Sequence, residues 1–234
     1  MNAPPLSNRP DPAAKTATEQ PSVRRPVRHR LLNQARAEET RTAILHHARQ
    51  AFAGQGFDGT NVRDIAQAAG ITHSMVRYHF GTKDQLWREA VREMFALIRA
   101  EVHAPVNQDI AEGLSDREVF VSLVDRYVRY CARHPEHARI TIMETIRGGE
   151  RLRWMVDEFV RSEHSQVLPL VKRMMDDGAI ARVPIQSFMY GMVGMIQVPF
   201  ILAEEARIAA NYDFMTETAI RKHSDAVIKL LVLE

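Results

Sequence analysis

The stretch that decides the fold is residues 60–83, TNVRDIAQAAGITHSMVRYHFGTK. Gly70 divides it into two short segments, each with apolar residues at helical spacing. The apolar positions of the first segment follow a potential cap at Asn61 and are Val62, Ile65, Ala66 and Ala69. Thr72 can cap the second segment, whose buried side carries Val76 and Phe80. Two short helices joined by a glycine-bearing turn form a helix-turn-helix.

The outer side of the second helix combines hydrogen-bond donors, an aromatic ring and a cation. These residues are His73, Ser74, Met75, Arg77, Tyr78 and His79. The major groove of DNA admits one helix, and side chains of these types can contact base edges there. Short helical hairpins also occur as plain structural elements, so the motif alone leaves both interpretations open.

Helices are predicted on both sides of this motif. Structure is predicted to begin near Glu38, with a helix that ends around Gly54 and Gly56. Its apolar stripe is formed by Ile44, Ala48 and Phe52. Thr82 opens a fourth helix after the motif. Further helices are predicted after a capping box at residues 115–118, from Pro135, and over residues 150–177, 184–206 and 213–233.

No segment alternates apolar and polar residues as a half-buried strand does. The sequence therefore predicts an all-α protein of about nine helices. Pro169 is expected to kink or split the helix that contains it, because proline cannot donate a helical hydrogen bond.

Three regions follow from this pattern. Residues 1–36 are rich in Pro, Ala, Arg and Ser without apolar periodicity, and are predicted to be a disordered arm. Residues 37–85 hold the helix-turn-helix, and residues 86–234 form a larger helical domain. The arm has seven basic and two acidic residues, a net +5, which leaves −3 of the total +2 for the rest. Such a basic arm is typical of a phosphate-binding extension, with an inert solvated leader as the alternative.

Composition argues against several classes of protein. The single cysteine, Cys131, excludes an intramolecular disulfide framework and is typical of a reducing compartment. Residues 1–30 lack the apolar segment of a secretory signal. Residues 183–203 carry no charge, but their glutamines and Pro199 favour a buried or dimer-interface helix over a membrane span. We therefore expect a cytoplasmic protein without membrane contact.

Catalytic and metal-binding patterns are not found in the sequence. His73 and His79 fall on different helix faces, which does not suit a shared metal ion. There is no glycine-rich phosphate loop and no nucleophile elbow. Cys131 lies near Arg133 and His134, yet its ordinary interpretation is a structural thiol. We expect no metal, no cofactor and no enzymatic activity.

Several segments match a known signature in order and spacing. FAGQGF, TNVRDIA, AGIT, VRYHFGTK and Leu86 resemble the TetR family DNA-binding signature, at residues 52–57, 60–66, 69–72, 76–83 and 86. The resemblance implies an N-terminal DNA-binding domain followed by a larger effector-binding and dimerisation domain. It further implies a dimeric repressor that binds a palindromic operator in double-stranded DNA and leaves it when a small-molecule effector binds.

The resemblance also implies roles for single residues. The family positions that contact base edges are occupied here by Thr72, His73, Ser74 and Arg77. The family positions that contact phosphate are occupied by Thr60, Asn61, His79 and Lys83. Tyr78 is positioned for a thymine methyl group or the DNA backbone. Many members carry tyrosine where this chain has Arg77, and arginine can contact guanine through two hydrogen bonds. We therefore expect at least one specified guanine per half-site, unless Arg77 lies along the backbone. Met75 replaces a small polar residue, so its contact is expected to be apolar.

The C-terminal region carries methionine and aromatic residues that can line an adaptable pocket. The residues predicted to line it are Tyr127, Tyr130, Met143, Trp154 and Met195. Each of them can equally belong to the core. The two last predicted helices are expected to form the homodimer, since Gly191 and Gly194 permit close helix approach.

Two other functional classes remain open at this point. A helical adaptor would dock a protein partner on the same hairpin, although partner grooves usually bind apolar anchors. A ligand carrier or small enzyme could have kept the fold and lost DNA binding. Salt-sensitive DNA binding distinguishes the regulator from both.

Overall fold

The computed structural model describes Met1 and residues 24–233, with the backbone alone for residues 24–33. The chain divides into two compact units, Met1–Thr40 and Arg41–Glu234. In its described part the first unit is the beginning of helix α1 (Arg24–Gly59). The second unit holds the remainder of α1 and all later elements.

Helix α1 begins earlier than the sequence predicted. The prediction that structure starts near Glu38 is wrong, because α1 starts at Arg24. The predicted disorder is therefore not found over residues 24–36, while residues 2–23 lie outside the described residues. Val27, Leu31 and Ala35 recur at i, i+4 and i+8 within residues 24–36, and the Arg, Leu, Gln and Ala residues of this segment favour helix. Pro26 is tolerated in the first turn, where the N–H groups have no helical partner.

The helix-turn-helix has the predicted boundaries, and the side chain of Asn61 forms the predicted cap whereas that of Thr72 does not. It consists of α2 (Val62–Ala68) and α3 (His73–Phe80), followed by α4 (Lys83–Ile98). Asn61 Oδ1 accepts a hydrogen bond from the Arg63 N–H at 3.0 Å and so caps α2. Thr82 and Gln85 form a reciprocal capping box at the start of α4. Thr72 occupies the cap position of α3 without a side-chain capping bond.

The larger C-terminal part continues with α5 (Ala104–Ala111), α6 (Asp116–Arg133), α7 (Pro135–Arg147), α8 (Glu150–Met155), α9 (Arg161–Asp176), α10 (Ile185–Ile201), α11 (Ala203–Ala210) and α12 (Glu217–Leu231). A π-helical turn at Arg99–His103 joins α4 to α5, and another at Val156–Val160 joins α8 to α9. Within the described residues these elements make ten continuous helices and no strand. The all-α prediction is confirmed, with one helix more than expected.

The extra helix comes from a break near Pro199. Residues 184–206 were predicted as one helix, whereas α10 and α11 meet at 68°. Pro199 cannot donate to the Met195 carbonyl, which instead accepts a hydrogen bond from His223 Nε2 at 3.1 Å. Pro169, in contrast, lies inside α9 and does not split it. The ring of His223, on α12, thus satisfies the carbonyl that the proline leaves free.

One apolar core extends through the second unit. It includes Ile44 on α1, Trp87 on α4, Phe120 on α6 and Phe200 on α10. The predicted domain boundary at residues 85/86 falls inside α4, which therefore passes from the helix-turn-helix into the larger domain without interruption.

Of the helices described here, none taken singly has the length and apolar character needed to cross a membrane. The bent pair α10 and α11 meets that requirement by length and composition only.

Candidate nucleic-acid interface and effector cavity

Helix α3 has one buried and one exposed side. Val76 and Phe80 are buried in the core and fix the helix to its neighbours. On the opposite side Tyr78 is 81% exposed and Met75 is 39% exposed. His73, Ser74 and Arg77 are exposed on the same helix. The side chains predicted to contact base edges therefore share a solvent-facing surface, and their contact with DNA stays a prediction.

The start of α2 is arranged differently from the prediction. Thr60 was expected to bind phosphate, but it is only 3% exposed. Its hydroxyl donates to the Gly56 carbonyl at 2.7 Å, within the turn between α1 and α2. A hydroxyl has one proton, so this one is not available to a phosphate. Thr60 is therefore a structural residue in this conformation, whereas Asn61 is exposed and keeps its amide NH2 group free to donate.

The other two predicted phosphate ligands are not directly available in this conformation, because Lys83 contacts the protein and His79 Nε2 is buried. Lys83 Nζ donates to the Asp58 carbonyl at 3.3 Å and lies 4.8 Å from the centre of the Phe57 ring. His79 Nε2 is buried and has no hydrogen-bond partner among the described residues. A phosphate contact by Lys83 requires release of two weak contacts, and one by His79 Nε2 requires rotation of the ring.

The larger domain encloses an apolar cavity of about 320 Å³. Its walls come from α4, α6, α7, α8, α9 and α10, with both π-helical turns at its edge. Val102 and His103 line it from the first turn, and Val156 and Val160 from the second. π-helical turns are uncommon and are found frequently at functional sites. The volume is at the lower end of that of small-molecule sites, about 300–1,000 Å³.

Only one of the five predicted pocket residues lines this cavity, namely Tyr127. Tyr130 is fully buried beside it and donates to the Met94 carbonyl at 3.1 Å. Trp154 turns away and packs on Trp87, with ring centres 5.6 Å apart. The prediction was wrong for these residues because large apolar side chains serve the core as readily as a cavity.

Met143 and Met195 also lie outside the cavity lining. The Met143 Cε lies 3.0 Å from the position that a Cβ on Gly56 would occupy, so Met143 packs on the end of α1. Met195 packs against the core from α10, and its carbonyl bonds His223. Sequence reasoning missed the polar residues of the cavity, which include His103, His137 and Glu163. Such residues can be recognised in the sequence only as charged or titratable residues on the apolar side of an amphipathic helix.

Helix α7 connects the cavity to α1, the helix that precedes the helix-turn-helix. His137, Thr141 and Thr145 line the cavity at one of its sides. The adjacent Glu136 is buried, with Oε1 3.5 Å from Arg49 Nε on α1. At the other end of α7, Arg147 forms an ion pair with Asp58 on α1. A movement of α7 by a ligand therefore reaches α1 directly at two points.

Burial lowers the pKa of two histidines that line the cavity, His137 and His164. The pKa of His137 falls to about 4, and His137 Nδ1 lies 2.7 Å from the Tyr130 hydroxyl oxygen. Both rings are thus neutral near pH 7. In the part of the chain that the structure describes, no group of three or more His, Cys, Asp or Glu side chains is arranged to hold a metal ion.

The family assignment rests on the first part of the chain. Residues 44–90 match the family model described as bacterial regulatory proteins, tetR family. A helix-turn-helix-type transcriptional repressor of Mycobacterium tuberculosis is 37% identical over 93 residues, which cover 38% of this chain and 50% of that protein. The repressor NicS of Pseudomonas putida is 30% identical over 114 residues, covering 48% of this chain and 51% of NicS. The chain thus spans about half the length of these curated relatives.

Solved structures share the fold over most of the chain. AibR, in complex with isovaleryl coenzyme A and operator DNA, superposes with a TM-score of 0.65 at 16% identity, covering 82% of this chain and 97% of AibR. The regulator FadR of Bacillus subtilis, in complex with stearoyl-CoA, has a TM-score of 0.59 at 15% identity, covering 81% and 98%. At 16% and 15% sequence identity, these similarities show a shared fold and nothing further. Residues 44–90, which include the helix-turn-helix, thus match the tetR family of bacterial regulatory proteins.

Proposed function

We propose that the protein is a ligand-responsive DNA-binding transcriptional regulator, a repressor that binds a palindromic operator as a dimer. The observation that carries this proposal is the polar, exposed side of α3 on a helix-turn-helix whose opposite side is fixed in the core. The relatives named as repressors, and the AibR complex with operator DNA, support it. An adaptor function is less well supported, because Arg77, His73 and Ser74 offer polar rather than apolar anchors.

Dimerisation would supply the second recognition helix. One short helix contacts few base pairs, and two copies about 34–36 Å apart match successive major grooves. Helix α10 offers a surface for this, since a Cβ added to Gly191 or Gly194 would meet nothing within 4 Å. Tyr190 on α10 and Leu230 on α12 are exposed apolar side chains, at 67% and 72%. These features support a homodimer through the C-terminal helices.

The effector would act through α7. A small molecule in the cavity contacts the side of α7 formed by His137, Thr141 and Thr145, and α7 is bonded to α1 through Glu136 and Arg147. The effector weakens DNA binding only if its affinities for the DNA-bound and free conformations differ. DNA must then weaken effector binding by the same factor, typically about 5–150-fold.

The proposal is tested by selection of genomic DNA fragments with the purified full-length protein at moderate salt. We expect enrichment of a palindrome whose half-sites are about one helical turn apart. Affinity for it should fall steeply with salt, because bound lysine and arginine side chains release counterions from the phosphates. Enrichment no greater than that of random fragments would contradict the proposal and favour a carrier or adaptor.

A further inference from the structure

The cavity contains a carboxylate that the proposed regulatory mechanism does not explain. Glu163, at the start of α9, lines the cavity and is only 8% exposed. A carboxylate inside an apolar cavity is costly unless it is paired and hydrogen-bonded. Its partners therefore decide whether it is a structural ion pair or a site for a ligand.

The two oxygens of Glu163 have different surroundings. Oε1 accepts a hydrogen bond from Arg99 Nη1 at 3.3 Å, and the Arg99 side chain is 44% exposed. Oε2 lies 2.5 Å from His103 Nε2, but the two atoms are not aligned for a hydrogen bond. Among the described residues Oε2 is therefore a buried acceptor without a donor. Arg99 does not line the cavity and contacts the carboxylate from outside it, through Oε1 alone.

The described cavity wall offers no lysine or arginine to an anion, and it is mainly aliphatic and aromatic. The titratable lining groups besides Glu163 and Tyr127 are His103, His137, His164 and Tyr190. His137 and His164 are neutral near pH 7, because burial lowers the pKa of each. An anionic group in the cavity would meet the Glu163 carboxylate without a lysine or arginine among the described lining residues.

From this arrangement we propose that the cavity binds an apolar small molecule carrying an amine or another cationic hydrogen-bond donor, which Glu163 Oε2 accepts. This inference rests on the proposed function, because it names the chemical class of effector that the cavity of the regulator binds. The apolar part of the ligand fills the space between α4, α6 and α10, and the donor of the ligand takes the place beside Oε2 that the His103 ring now occupies. A charge-assisted hydrogen bond in a dry site is about twice as strong as a neutral one.

The experiment compares two probes of equal chain length, n-octylamine and n-octanoate, at pH 7.5. The amine is protonated and the acid ionised at this pH. Binding is measured by isothermal titration calorimetry on the full-length protein without DNA. We expect octylamine to bind at least about tenfold more tightly than octanoate, which corresponds to about 1.4 kcal/mol.

The matched variants are Glu163→Gln, which removes the charge in the cavity, and Glu158→Gln, which removes an exposed charge on the neighbouring π-helical turn. Glu163→Gln should reduce the preference for the amine to less than about threefold, and Glu158→Gln should leave it unchanged. A folding defect in either variant is recognised from its thermal unfolding without probe. If Glu163→Gln is folded and prefers octylamine over octanoate as strongly as the wild-type protein does, the assignment is overturned.

Two further outcomes also overturn it. Octanoate binding as tightly as octylamine would show that Arg99 neutralises Glu163 completely and that the cavity does not select by charge. Failure of both probes to bind would show that the cavity is not a site for this class. Operator binding, measured separately without probe, tests the proposed function independently, so its failure cannot be confused with either result.

Discussion

Gly56 and Gly54 provide a matched test of how α1 ends beside α7. Gly56 has φ 68° and ψ 176°, a region open to glycine and strained for other residues, and it is buried. An alanine Cβ there would lie 3.0 Å from Met143 Cε. Gly54, two residues earlier, is exposed within the helix, and a Cβ there would meet nothing within 4 Å. The same substitution should therefore have opposite effects at the two positions.

For Gly56→Ala we expect a loss of about 1–3 kcal/mol from backbone strain. For Gly54→Ala we expect a gain of about 0.5–1 kcal/mol, because glycine is entropically costly in a helix. In a protein of this size 1 kcal/mol shifts Tm by roughly 2–4 °C. Differential scanning calorimetry should thus show Tm lowered by about 2–12 °C for Gly56→Ala and raised by about 1–4 °C for Gly54→Ala.

The combination of Gly56→Ala with Met143→Ala separates the two causes of the loss. Removing the Met143 side chain relieves the close contact but leaves the backbone conformation unchanged. In the Met143→Ala background Gly56→Ala should still be destabilising by at least about 1 kcal/mol. A shift of the same sign for both glycine variants, or complete rescue by Met143→Ala, would refute the reasoning on the turn at Gly56.

Three further predictions concern charge. His137→Gln should weaken the acid dependence of stability, measured by urea unfolding from pH 7 to 4.5: burial lowers the pKa of His137 from 6.5 to about 4, so the unfolded chain binds more protons and stability falls as pH drops through this window. Arg49→Met removes the arginine that faces the buried Glu136 carboxylate and should lower the free energy of unfolding by about 3–5 kcal/mol. Arg161→Ala, on the surface, should change it by less than about 0.5 kcal/mol. Deletion of residues 1–36 should lower operator affinity and flatten its salt dependence; unchanged values would assign the basic arm no part in DNA binding.

The DNA-binding half of the fold was predictable because its signals are local. Asn61 and Thr82 cap the helices that follow them, and Gly70 and Gly81 end helical segments at positive φ. Such signals depend on side chain and backbone within a few residues, so the boundaries of α2 and α3 could be predicted closely. Thr60 was assigned wrongly because its hydroxyl serves the Gly56 carbonyl, which depends on how α1 ends.

The effector half was predictable only as a set of helices. Which aromatic residue lines a cavity depends on how six helices pack, and the sequence has no local signal for that. Tyr127 and Tyr130 are three residues apart on α6, yet one lines the cavity and the other bonds the Met94 carbonyl. The start of α1 was missed for a different reason, since the helical spacing of Val27, Leu31 and Ala35 lies in a segment whose proline and arginine content is typical of a disordered arm.

The most direct test of the central claim, that α3 recognises DNA, is the base preference of Arg77→Ala. The selected operator is varied at each half-site position, and binding is measured for the wild-type protein, Arg77→Ala and the distant control Arg161→Ala. We expect Arg77→Ala to lose about 1–3 kcal/mol of discrimination at one guanine position and Arg161→Ala to retain it. If the base preferences of Arg77→Ala and the wild-type protein are the same at every position, Arg77 on α3 does not read bases in the way proposed.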